Sequence, residues 1–229
     1  MTPSQAIELL YRLKPAFHSQ NGQAVTWNSQ RKVLDFIAAH VGPGNRSLET
    51  GCGYSTVTFI ATGSTHCTVT PSEGEAERVS AFCAEHGLSV DNHRFAIGFS
   101  QLVLPTLAED GELDLIYIDG AHRYPYPSID WAFTERRLKV GGILLVDDVR
   151  IPSCRVLHDF LLREANWKLR DYIGDTAIFD KTGQGDYSRD WAVQQFNRTY
   201  PDFSFLPLHR RIPAVAGDLA ARIRRRLGI

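Results

Sequence analysis

The chain has 229 residues, 43% of them hydrophobic and 22% charged, a mix that supports a real core and excludes a low-complexity or disordered chain. A formal net charge of −1 excludes a bulk electrostatic pull toward nucleic acid. Cys52, Cys67, Cys83 and Cys154 are too scattered for a CxxC zinc site or a disulfide framework.

In chain order, Pro3-Ser4 starts a first helix whose apolar face is Ile7, Leu9, Leu10 and Leu13, and Asn21-Gly22 breaks the chain after it. A second helix is predicted from Asn28 to His40, ending at Gly42-Pro43-Gly44. Strands are then predicted at Arg46–Thr50, His66–Thr70, Arg94–Ile97, Leu113–Asp119 and Gly142–Asp147. Helices fill the gaps at Thr56–Ala61, Glu73–His86, Gln101–Leu107, Tyr126–Leu138 and Ser153–Ala165. This alternation predicts an α/β fold with a doubly wound, mostly parallel sheet. LDLIYID and GGILLVD are apolar almost throughout, as strands covered on both faces should be. Trp167–Ile173 and Thr176–Asp180, joined at Gly174-Asp175, read as an antiparallel hairpin added to that sheet. The tail carries a predicted helix around Asp190–Thr199 and a basic terminal helix.

The first core strand runs into SLETGCGYST, so Glu49, Gly51 and Gly53 stand at a strand-to-helix turn. Glycines there let backbone amides approach a ligand, at the sheet edge where doubly wound folds bind ligands. The third glycine of the dinucleotide fingerprint is absent, and an acid before the first glycine suits an amine-bearing ligand better than a pyrophosphate. Asp119 ends one buried strand, and Asp147 and Asp148 end the next. Three carboxylates converging at one edge carry a charge that a hard divalent cation relieves, Mg²⁺ or Mn²⁺ by the chemistry of oxygen donors. Alternatively, Asp147 or Asp148 caps a turn while the other pairs with Arg123 or Arg150. His122, on the loop after Asp119, has the ordinary pKa of a base at neutral pH, with a metal or cofactor contact as its alternative role.

Four motifs, SLETGCGYST, GFSQLVLPTL, DLIYIDGAHRY and GGILLVDDV, occur in the order expected of one family. Over about Trp27 to Lys181 the chain resembles the class I S-adenosylmethionine-dependent methyltransferases, and within them the metal-dependent O-methyltransferases of the catechol and macrolide-sugar type. The resemblance implies S-adenosylmethionine as cofactor. It implies that Glu49, Gly51 and Gly53 contact its methionine portion, that Ser55 lies near its carboxylate, and that Ser100-Gln101 border its adenine. It implies Asp119, Asp147 and Asp148 as metal ligands, and places His122 where the catechol enzymes carry a catalytic lysine. One departure is Thr70, which stands where the family has a ribose-binding acid; Glu73, or Ser72, is the expected replacement.

The expected organisation is an N-terminal helical extension over residues 1–45, a cofactor-binding core over 46–182 and a tail over 183–229. The expected activity is O-methylation of a small-molecule or sugar hydroxyl, with His122 and Asp119 as catalytic residues. A metal-independent methyltransferase, an NAD-binding oxidoreductase and a non-catalytic binding protein stand as alternatives. The expected partner is a hydroxylated small molecule rather than nucleic acid, with a homodimer contact as one use of the terminal additions. The chain shows no signal peptide or transmembrane segment by its pattern, so a cytoplasmic location is expected.

Overall fold

A computed structural model describes residues 1–107, 111–187, 190–199 and 201–228. It divides into two units, Met1–Asp186 and Tyr187–Ile229.

The first unit opens with α1 (Pro3–Leu13), capped by Thr2 and Gln5 in a reciprocal capping box. A short hairpin follows, β1 (His18–Gln20) and β2 (Gln23–Val25), then α2 (Arg31–His40). Asn21-Gly22, expected only to break the chain, is the two-residue turn of this hairpin, with φ of 53° and 77°. Asn-Gly adopts that left-handed pair readily. The strands are too short and polar to announce themselves by alternation.

The core continues as β3 (Arg46–Thr50), α3 (Tyr54–Thr62), β4 (Thr65–Thr70), α4 (Glu73–Glu85), β5 (His93–Ile97) and the short α5 (Ser100–Val103). Then come β6 (Leu113–Ile118), α6 (Tyr126–Thr134), β7 (Leu138–Val146), α7 (Pro152–Leu161), β8 (Trp167–Ile173) and β9 (Thr176–Lys181). The seven-stranded sheet has the order β5-β4-β3-β6-β7-β9-β8. β3 to β7 pair in parallel, and β9 runs antiparallel between β7 and β8. The predicted doubly wound sheet with an antiparallel hairpin is therefore observed. β7 begins four residues earlier than expected: a register irregularity opposite Leu113 and Leu115 absorbs the exposed Lys139, Val140 and Gly141.

Period-two alternation builds the two core layers. Ile116, Ile118, Leu144 and Val146 bury against α7 residues Leu157 and Leu161. Leu115, Tyr117, Ile143 and Leu145 bury on the other face with Val33 and Ile37 of α2. α1 shares a third cluster with α3 and α4 through Ile7, Leu10, Val57 and Val79, so the N-terminal helices are part of the first unit. The chain runs outward from β3 to β5, then returns to β6 and runs the other way. The switch point lies between the carboxyl ends of β3 and β6, where such sheets open a crevice.

In the second unit the predicted helix at 190–199 is instead two single 3₁₀ turns, Trp191–Val193 and Gln195–Thr199. Gln194 between them is extended, which ends the first turn. The basic helix is observed as α8 (Leu208–Leu227), with Pro213 inside it and an Asp218–Arg222 ion pair one turn apart. Among the described residues, no helix is long and apolar enough to cross a membrane.

Candidate active site

A cavity of about 860 Å³ opens at the switch point, a size that holds a nucleoside-sized cofactor with a small partner. The turn after β3 forms its floor. Gly51 has φ +97°, and a Cβ there would collide with the Asp119 carbonyl, so glycine is what lets the ends of β3 and β6 close together. Gly51, Gly53 and Ser55 line the cavity.

Glu49 is fully buried and does not line the wall. Its carboxylate accepts from Ser55 Oγ at 2.6 Å, Thr56 Oγ1 at 2.5 Å and Thr68 Oγ1 at 2.8 Å, with His66 Nε2 at 3.3 Å. Thr56 Oγ1 in turn accepts from the Gly53 amide at 2.9 Å. Expected to touch the cofactor, Glu49 instead ties the start of α3 to β4 and holds the glycine loop from behind. His93 completes this layer: its Nε2 is 2.9 Å from Thr68 Oγ1, and burial together with the charge of His66 pushes its pKa down to about 3.

At the end of β4, Thr70 lines the cavity beside Glu75. Thr70 Oγ1 donates to Glu75 Oε2 at 3.2 Å, and His18 Nδ1 lies 3.0 Å from Glu75 Oε1. Glu73, the expected replacement acid, is exposed and absent from the wall. The reason is local: Ser72 caps α4 by accepting from the Glu75 amide. Glu75 is then at the third helical position, and its carboxylate meets Thr70 and His18, while the Ser72 amide donates to Thr70 Oγ1. Ser-x-x-Glu was the signal in the sequence that points to Glu75.

Phe99 and Ser100 line the next stretch of wall; Gln101 does not, and its Oε1 is buried without a partner. Asp130 of α6, not singled out in the sequence, lines the cavity while only 1% exposed.

The acidic end of the cavity is built by ladder bonds that continue past the strands. Asp119 N donates to Thr50 O and Asp147 N to Ile118 O, both at 3.0 Å. Ligand atoms of Asp119, His122 and Asp147 lie within 4.8 Å of one another. Burial, then the charge of Asp119, raises Asp147 to about 7, with the Thr176 hydroxyl, which donates to it, offsetting in part. Asp148 stands apart from this trio. Its backbone is left-handed, φ 51°, and its Oδ2 meets His122 Nδ1 at 3.0 Å, while His122 Nε2 faces Asp119 Oδ1 at 3.4 Å. Burial opposes protonation of His122, but Asp119, Asp148 and Asp147 outweigh it and raise its pKa. The structure thus brings together Asp119, His122 and Asp147, with Asp148 Oδ2 against the other ring nitrogen of His122. Crowded carboxylates whose charge drives one of them toward neutrality fit a divalent cation held through oxygen, Mg²⁺ or Mn²⁺.

Residues 48–149, a little under half of the chain, match the family model described as a methyltransferase domain. A comparison with curated proteins finds no match. Among solved structures, the O-methyltransferase TomG of Streptomyces achromogenes, involved in tomaymycin synthesis and bound to S-adenosylmethionine, is 16% identical with a TM-score of 0.60, over 79% of this chain and 89% of that one. A putative caffeoyl-CoA O-methyltransferase of Staphylococcus aureus is 16% identical with a TM-score of 0.62, over 77% and 92%. An O-methyltransferase of Bacillus cereus bound to S-adenosylhomocysteine is 17% identical with a TM-score of 0.57, over 79% and 90%. Residues 48–149 thus match a methyltransferase-domain model, and the chain shares the fold of these O-methyltransferase structures.

Proposed function

We propose that this chain transfers a methyl group from S-adenosylmethionine to a hydroxyl of a small acceptor, a sugar or a phenol, with help from a divalent cation. One observation carries the reading: Asp119, His122 and Asp147 converge on the cavity that the glycine loop also lines. When bound, S-adenosylmethionine supplies an electrophilic methyl, and a cation held by Asp119 and Asp147 lowers the pKa of a coordinated hydroxyl.

The chain's own residues do the rest. Gly51, Gly53 and Ser55 seat the amino-acid end of the cofactor, Thr70 and Glu75 take its ribose hydroxyls, and Phe99 and Ser100 border its base. Asp148 holds the Nδ1 proton of His122, so Nε2 is the free nitrogen facing the acidic pair, and it accepts the acceptor's hydroxyl proton. Trp27 and Tyr126 wall the cavity, excluding water and orienting the acceptor.

The test is calorimetric titration of Mn²⁺ and Mg²⁺ into protein saturated with S-adenosylhomocysteine. One saturable site, lost in Asp147→Ala and kept in His122→Ala, supports the assignment. Loss in both variants would make His122 a ligand instead of the base, and no binding of either ion would overturn the metal. A metal-independent reading draws on the two ion pairs of His122, which neutralise part of the acidic charge; it requires turnover that a chelator leaves unchanged.

A further inference from the structure

α8 carries two features that the proposed methyl transfer does not use. Leu208, Ile212, Val215, Leu219 and Ile223 recur at helical spacing on one face, and they are between 49% and 68% exposed. The helix also holds six arginines against one aspartate, in a chain whose formal net charge is −1. A different side of the helix holds it in place. Arg211, Ala214 and Asp218 are its partly covered positions, and Arg211 Nη2 donates to Ser204 O at 2.5 Å and Leu206 O at 3.2 Å. Asp218 pairs with Arg222. Among the described residues, Arg210, Arg224, Arg225 and Arg226 pair with no acid. A continuous aliphatic stripe left in water, beside cations without partners, marks a surface that binds something.

We infer that α8 docks on an anionic lipid bilayer, lying in the plane of its surface with the aliphatic stripe turned toward the acyl chains. Charge complementarity selects this occupant. The stripe gains by leaving water for the acyl boundary, and the arginines gain from the negative headgroups above it. Arg226 falls seven residues beyond Leu219, in line with the stripe, so the apolar run ends in a cation. Long arginine stems lie along apolar surface and lift the guanidinium to headgroup height. A second copy fits less well, because α8 packed on α8 sets six arginines against six more. Nucleic acid would engage the arginines but leave the aliphatic stripe in water, and α8 has no Phe, Tyr or Trp on which a base could stack. The attachment is to the surface, since α8 is not apolar enough to cross.

The experiment is sedimentation of the full chain with vesicles of phosphatidylcholine alone and of phosphatidylcholine mixed with phosphatidylserine. The wild type is expected to bind the mixed vesicles at least about 30-fold more tightly than the neutral ones. Arg224→Gln with Arg225→Gln should weaken that binding about 30-fold. Leu219→Gln with Ile223→Gln, which leaves the charge unaltered, should weaken it about 10-fold or more. All four side chains are exposed, so both variants should keep the wild-type melting temperature. Equal binding to the two kinds of vesicle, or to neither, overturns the inference without any variant. Binding lost only in the arginine variant, with a single-stranded oligonucleotide bound as tightly as the vesicles, overturns it in favour of nucleic acid. A dimer in light scattering that Leu219→Gln with Ile223→Gln dissolves, with no vesicle binding, overturns it in favour of a second copy.

Discussion

The two ends of the cavity differ in how complete they are. Behind the glycine loop, the Glu49 carboxylate gathers three hydroxyls and an imidazole in a site closed to solvent, and every partner is supplied by the chain. At the ends of β6 and β7, carboxylates crowd one another and Asp147 is driven to about 7. The first arrangement is finished in the protein alone and holds shape. The second is met in part by Thr176 and His122, and the charge left crowded there is what the proposed cation would offset.

The sharpest way to break this contrast is Asp147→Ala. Turnover should fall about 10³-fold, since charge stabilisation by a cation is worth several kcal/mol, while the Kd for S-adenosylhomocysteine stays within about threefold. Its melting temperature should not drop, because a like-charge contact is relieved. A marked loss of stability would place Asp147 with the structural acids. Glu49→Ala should do the reverse: removing one member of a buried charged network strands its donors and costs about 3–5 kcal/mol in a denaturant melt. A cost below about 1 kcal/mol would sink the view that Glu49 braces the loop.

Smaller effects sharpen the boundary between the two ends. Glu75→Gln should weaken S-adenosylhomocysteine binding by about 1–2 kcal/mol, the worth of a hydrogen bond to a charged group, whereas Glu73→Gln should leave it unchanged; equal effects would return the ribose contact to an open question. The mildest is a pH effect. His93 is held neutral, with a folded pKa of about 3 against an ordinary value of 6.5. Between those values the unfolded chain binds the extra proton, so stability should fall as pH drops, by up to about 1.4 kcal/mol per pH unit. His93→Gln should flatten that part of a stability–pH curve; an identical slope would assign the acid sensitivity elsewhere.

Much of the fold was legible because its strands are buried on both faces. DLIYID and GILLVD have no second reading as amphipathic helices, and the glycines after β3 sit where a strand must turn. Convergence of Asp119 and Asp147 followed from placing both at one edge of a parallel sheet. What the residue pattern hid was direction. It could not show that Glu49 points behind the loop, nor that the left-handed backbone at Asp148 turns its carboxylate to His122 and away from the trio. Asp130 lay unseen because an acid inside a helix reads as a solvated face, and only the packing of α5 against α6 reveals it as wall.

The position of β9 has a consequence for the order in which the molecule is made. β9 is inserted between β7 and β8 by an antiparallel return, and its first residue, Thr176, donates to Asp147, while Asp175 O accepts from Val149 N. Every residue assigned to the cofactor leaves the ribosome before Asp147 does, and the hydroxyl that offsets the burial of Asp147 emerges some thirty residues later still. During synthesis, then, Asp147 lacks this last neighbour until β9 has emerged.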